Sequence, residues 1–236
     1  MFNEQTVTEN GIIDRLKNLS GVKWIYCHGE NLPKKAQDIF VDEWLKDALC
    51  SLNPAIGQEP DYADEVIHKL RGVLLEAPHS GLVRANENFQ AWMLAEKTLP
   101  FGENGEHVTI NLIDFEQIEN NHFVVAQQVH YVAAGEVYFD IVLYVNGIPM
   151  VVGEVKSATR PSVSWQDGAA DFMGGKKHYW QHVQAFFVPN LLCFASEGKT
   201  FAYGAINARV KDWGPWHHTD QRDDIPATLA SVLASA

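Results

Sequence analysis

Asp140, Glu154 and Lys156 are charged side chains set inside otherwise apolar runs. Asp140 interrupts Tyr138-Phe139-Asp140-Ile141-Val142-Leu143, and Glu154 and Lys156 end Met150-Val151-Val152-Gly153-Glu154-Val155-Lys156. Burying such charges is costly unless they pair or bind a metal. Two carboxylates on one face would make a hard, oxygen-rich site for Mg2+ or Mn2+, and the backbone carbonyl of Val155 could add a ligand. A neighbouring lysine can orient a water nucleophile or stabilise charge building on a phosphate. A buried salt bridge from Lys156 to Glu154 or Asp140 accounts for the short pattern equally well.

The elements that must position these residues come from the hydrophobic period. Tyr138 to Val145 and Ile148 to Val155 read as two strands joined by Asn146-Gly147, a strong hairpin signal. Glu154 and Lys156 then share a face, because strand side chains alternate. A plain two-residue loop would set Asp140 opposite Gly153, on the other face from Glu154. The site therefore requires an odd-length loop or an equivalent bulge. Helical stripes precede the hairpin, over 38–49, 61–74 and 87–96. Strand patterns cover 107–113 and 123–131. A helix over 165–184, interrupted at Gly174-Gly175, and strands at 191–196 and 200–204 follow. The expected fold is α/β, a mixed sheet flanked by helices, with an N-terminal extension over 1–37, the core over 38–206 and a tail over 207–236.

Composition narrows the function classes. The chain has 236 residues, 18 Lys+Arg against 30 Asp+Glu and a formal net charge of −12. That balance argues against a self-sufficient DNA binder. Three separated cysteines exclude a disulfide framework and point to a reducing cytoplasm. No signal peptide pattern and no run of about 18 apolar residues appears, so no membrane role is expected. There is no Walker A or Gly-x-Ser-x-Gly motif.

The stretch from Val137 to Ser157 closely resembles the N-terminal nuclease domain of the restriction (motor) subunit of type I restriction–modification enzymes, a branch of the PD-(D/E)xK nucleases. Upstream, Asn86-Glu87-Asn88-Phe89, Leu112-Ile113-Asp114-Phe115 and Asn121-His122-Phe123-Val124-Val125 are similar to that family's approach to its core. Downstream, Val188-Pro189-Asn190-Leu191-Leu192, Ala195-Ser196-Glu197-Gly198 and Tyr203-Gly204 resemble its following strand pair. The resemblance covers roughly residues 40 to 206 and implies a restriction-endonuclease-like fold.

It also implies Mg2+-dependent cleavage of double-stranded DNA, with Mn2+ able to substitute. Asp140 and Glu154 would be metal ligands and Lys156 the catalytic lysine. A further carboxylate from an earlier helix would be Glu43, for which a solvated helix charge is the competing reading. The family's Gln-x-x-x-Tyr motif is incomplete: Gln166 is present, but Ala170 stands where Tyr would be. Gln127 to Tyr131 has that spacing but precedes the site and reads as coincidence. ATP would serve only a motor region beyond this segment, and modification and specificity subunits would supply target recognition. A non-catalytic subunit-docking domain and a stand-alone nuclease in repair or phage defence are the alternatives.

Arg160, Lys176, Lys177, His178 and His182 form a basic island downstream of the lysine, with Gln166 close in sequence. It is expected either to receive DNA phosphates or to be a solvated helix face. His217-His218 with Asp220 and Asp223 reads as a surface tail rather than a metal site.

Overall fold

The structure, a computed structural model, describes residues 4–19, 21–157, 162–174 and 177–215. In chain order its elements begin with α1 (Glu4–Lys17), β1 (Trp24–His28), α2 (Asp42–Leu52), α3 (Pro54–Gln58), α4 (Asp61–Leu74), α5 (Ala77–Ser80) and α6 (Leu82–Met93). Two short strands, β2 (Thr98–Leu99) and β3 (Val108–Thr109), precede the long strands β4 (Phe123–Val132), β5 (Glu136–Val145) and β6 (Ile148–Val155). Helices α7 (Trp165–Met173) and α8 (Tyr179–His182) lead to β7 (Leu192–Ser196) and β8 (Phe201–Gly204).

Six strands form one mixed sheet in the order β1-β4-β5-β6-β7-β8. The β1–β4 and β6–β7 pairs are parallel, and the other three are antiparallel. Every residue of β6 is buried, as a central strand with covered faces requires. The flanking helices complete the α/β restriction-endonuclease-like architecture.

Several local expectations shift. Helix α2 starts at Asp42 rather than Asp38, because the Val41 N–H is held by the Gly147 carbonyl at 2.9 Å. The 107–113 pattern yields only β3, which pairs with β2 in a separate two-stranded sheet. Asn53 draws the next residues away, accepting from the Asn111 N–H at 2.7 Å and donating to its carbonyl at 2.9 Å. Part of the N-terminal stretch read as an extension joins the core. Helix α1 buries Ile12, Ile13 and Leu16, and β1 is an edge strand of the main sheet. The tail pattern at His217-His218 lies outside the described residues.

Candidate active site

The β5–β6 hairpin sets the site's geometry. Its loop has two residues, Asn146 at φ 51° and Gly147 at φ 79°, as a type I′ turn needs. A Cβ on Gly147 would lie 2.4 Å from the Val41 carbonyl oxygen, so only glycine fits. Val145 pairs with Ile148 and Tyr144 with Pro149, but Leu143 pairs with Val151. Met150 is the extra residue of a bulge. Pro149 has no N–H to give the ladder, and the Met150 carbonyl turns instead to the Leu191 N–H at 2.8 Å. The shifted register continues through Ile141 opposite Gly153, which puts Asp140 opposite Glu154. The required bulge is present, and the two carboxylates share a face.

Both carboxylates are deeply buried, Asp140 at 3% and Glu154 at 1% exposure. Their surroundings differ. Glu154 Oε1 lies 2.8 Å from Lys156 Nζ and 2.6 Å from Lys177 Nζ, and Oε2 accepts from the Tyr179 hydroxyl at 2.9 Å. Asp140 receives neutral donors, the Val155 N–H at 2.8 Å and the Gln128 side-chain amide at 3.4 Å. Burial, then the adjacent Glu154 charge, push the Asp140 carboxyl up to about 7. Lys156 is anchored a second time by Asp171 Oδ2 at 2.6 Å. Burial opposes its charge, but Glu154 and Asp171 together outweigh burial and hold the ammonium above its ordinary range. The Tyr179 phenol is also raised, by burial and then by Glu154 and Asp140.

Glu43 does not join this group. It is exposed near the start of α2, where Val41 and Leu45 pack against the hairpin turn. Asp140 lies six residues back along β5 from Asn146, roughly 20 Å at strand rise. Glu9 of α1 is the helix carboxylate that approaches instead. It is 1% exposed and accepts from Gln127 at 2.7 Å and from Gln128 at 3.1 Å. Gln128 thus links Glu9 to Asp140, whereas Gln127 reaches Glu9 and its neighbour Asn10. Tyr131 packs on Phe186 instead.

Gln128 sits at φ 55° in mid-strand, and the ladder skips the Gln128/Asp140 pair. A Cβ on Gly29 would meet the Gln128 carbonyl oxygen at 2.2 Å, so the turn after β1 seats against this kink. Gln128 also borders a cleft of about 460 Å3 whose walls include Lys34, Lys35, His130 and Tyr138.

Within the basic island, Lys177 points into the site and Gln166 is exposed at the start of α7. Arg160 and Lys176 lie outside the described residues. Sequence reasoning does not single out Glu9, Asp171 or Tyr179, which look like ordinary helix residues distant from the motif. One available signal was Pro149, since a proline inside a central strand argues for a bulge.

Among the described residues no three His, Cys, Asp or Glu side chains converge as a complete metal cage. The residues nevertheless fit Mg2+, which keeps several waters and is bound through one or two carboxylates. The raised Asp140 carboxyl beside Glu154 marks a place where a cation would relieve like-charge repulsion.

Residues 1–211 match the family described as type I restriction enzyme R protein N terminus. This chain belongs to that family. Similar proteins include the type I restriction enzyme HindI endonuclease subunit of Haemophilus influenzae, 28% identical over 236 residues covering 94% of this chain and 21% of that protein. The MjaIXP endonuclease subunit of Methanocaldococcus jannaschii is 27% identical over 240 residues, covering 95% of this chain and 21% of its own. The chain thus spans about a fifth of the length of the curated relatives it matches.

Proposed function

We propose that this chain is a divalent-metal-dependent endonuclease domain that hydrolyses phosphodiester bonds of double-stranded DNA within a type I restriction enzyme. The observation that carries the reading is the bulged hairpin, which brings Asp140, Glu154 and Lys156 together on one buried face. The relatives' description as endonuclease subunits supports it.

Asp140 and Glu154 would hold Mg2+ or Mn2+, with the Val155 carbonyl as a further ligand and Glu9 next to them. A bound cation would act as a Lewis acid on the phosphate. Lys156, fixed by Asp171, would place its ammonium beside the scissile phosphate, where it orients the nucleophile and stabilises developing negative charge. The cleft beside Gln128 would give the substrate an approach, with Lys35 on its wall for backbone phosphates. In a full-length subunit, an ATP-driven motor would deliver the DNA, and modification and specificity subunits would select the site. A chain with a net charge of −12 would then hold DNA weakly by itself.

Incubation of the chain with supercoiled plasmid tests the reading. Nicking is expected with Mg2+ or Mn2+, and loss of nicking with EDTA or in Asp140→Ala and Lys156→Ala. Cleavage that both variants retain would remove these residues from the reaction.

A further inference from the structure

Lys177 occupies an unusual place for a lysine that follows a helix end. Its Nζ lies 2.6 Å from Glu154 Oε1, the same oxygen that Lys156 contacts at 2.8 Å. Its charge also acts on Asp140, where it counters part of the upward push on that carboxyl. The ammonium therefore pairs with Glu154 and only partly offsets the burial of Asp140. The two lysines differ in anchorage. Lys156 is held between Glu154 and Asp171, whereas among the described residues Lys177 forms its ion pair with Glu154. The Lys177 ammonium also stands 5.4 Å from the centre of the Tyr179 ring. Its side chain is 35% exposed against 20% for Lys156, so a route outward exists.

We propose that Lys177 is the internal counter-ion of the metal-free site, and that it leaves Glu154 when a divalent cation binds. The inference rests on Asp140 and Glu154 being the metal ligands. An ammonium at hydrogen-bond distance from Glu154 Oε1 neutralises the charge a cation would neutralise, and it repels an incoming cation. Metal and lysine thus compete for one oxygen. Lys177 sets the metal affinity by holding part of the population in the closed, lysine-paired state. Lys156 can stay on Asp171 during the exchange, so the catalytic lysine need not move with it. Lys177 thereby acts as a positioning residue rather than a catalytic one.

Calorimetric titration of the 236-residue chain with Mn2+ tests the exchange, comparing wild type with Lys177→Met and Lys177→Arg. Lys177→Met is expected to bind Mn2+ about tenfold more tightly. Lys177→Arg, which keeps the charge, is expected to stay within about threefold of wild type on the same competition argument. Thermal melting in EDTA against Mn2+ supplies a second readout. The Met variant should melt lower than wild type in EDTA and gain more from Mn2+, because Glu154 has lost a partner that the cation replaces. A purely structural lysine would lower both melting points alike and leave the affinity unchanged. Wild type that binds Mn2+ with Lys177→Met equal or weaker overturns the exchange. If neither protein binds Mn2+, the metal reading of Asp140 and Glu154 falls first and the exchange with it.

Discussion

Replacing Asp140 by Asn should stabilise the fold at neutral pH while removing cleavage. Asp140 is 3% exposed and is met by neutral donors, so its charge is poorly compensated. Burial and the Glu154 charge raise its carboxyl from 3.8 to about 7. A folded-state value above the unfolded one means that the folded chain holds the proton longer. The group's contribution is full below about pH 4 and is lost as pH rises through about 7. The shift is about three pH units, which is about 4 kcal/mol at the ceiling. Asn keeps an acceptor for the Val155 N–H and carries no charge to desolvate.

The pH dependence makes this refutable. Integrating the linkage between pH 5 and pH 8 gives a stability advantage for Asp140→Asn that grows by about 2–3 kcal/mol. Urea unfolding followed by tryptophan fluorescence, in EDTA at the two pH values, measures it directly. Added Mg2+ should then stabilise wild type at pH 8 and leave the variant nearly unmoved, since ligand stabilisation requires the ligand's site. An advantage of equal size at both pH values would show that Asn acts through packing alone. A variant less stable than wild type at pH 8 would refute the claim that the Asp140 charge is strained.

Glu43→Ala should leave plasmid nicking within about twofold, because the residue is exposed near the hairpin turn; Glu9→Gln should lower nicking by about tenfold or more by disturbing the charge beside Asp140. Tyr179→Phe should cost about 1–3 kcal/mol in urea unfolding, since the buried Glu154 Oε2 loses its hydroxyl donor. Gly147→Ala should cost about 2 kcal/mol or more by the same measurement, because its φ of 79° and the Val41 carbonyl at 2.4 Å both oppose a Cβ.

The hairpin was legible because two period-two runs meet at Asn146-Gly147, a local signal that needs no tertiary information. An odd-length loop or an equivalent bulge was legible as a requirement; the loop has only two residues, and the bulge supplies the shift. Its placement at Met150 depends on Pro149 and on the Leu191 N–H that takes the freed carbonyl. The strand assigned to 107–113 failed for a tertiary reason, because Asn53 captures both backbone groups of Asn111. Helix α1 has a weak apolar stripe carried by Ile12, Ile13 and Leu16, and β1 has one fully buried residue, Trp24. Neither shows a strong period until the rest of the sheet is present to receive it.

The site's own residues divide along the same line. Asp140, Glu154 and Lys156 stand out because a charge inside an apolar strand is expensive, and a sequence keeps such expense only where something compensates it. Glu9, Asp171 and Tyr179 sit on helices, where charged and amphipathic side chains are ordinary. Nothing local distinguishes them from solvated positions. They become functional candidates only when the fold carries them to the buried carboxylates, from as far as 131 residues away in the case of Glu9 and Asp140. A motif therefore marks the strained charges, whereas the groups that moderate the strain must be found in three dimensions. The incomplete Gln-x-x-x-Tyr pattern on α7 illustrates the consequence. Ala170 leaves no phenol at the expected helix position, yet Tyr179, one helix later, presents its hydroxyl to Glu154. Interaction with the carboxylate, rather than fixed spacing along the chain, is what the site's chemistry requires.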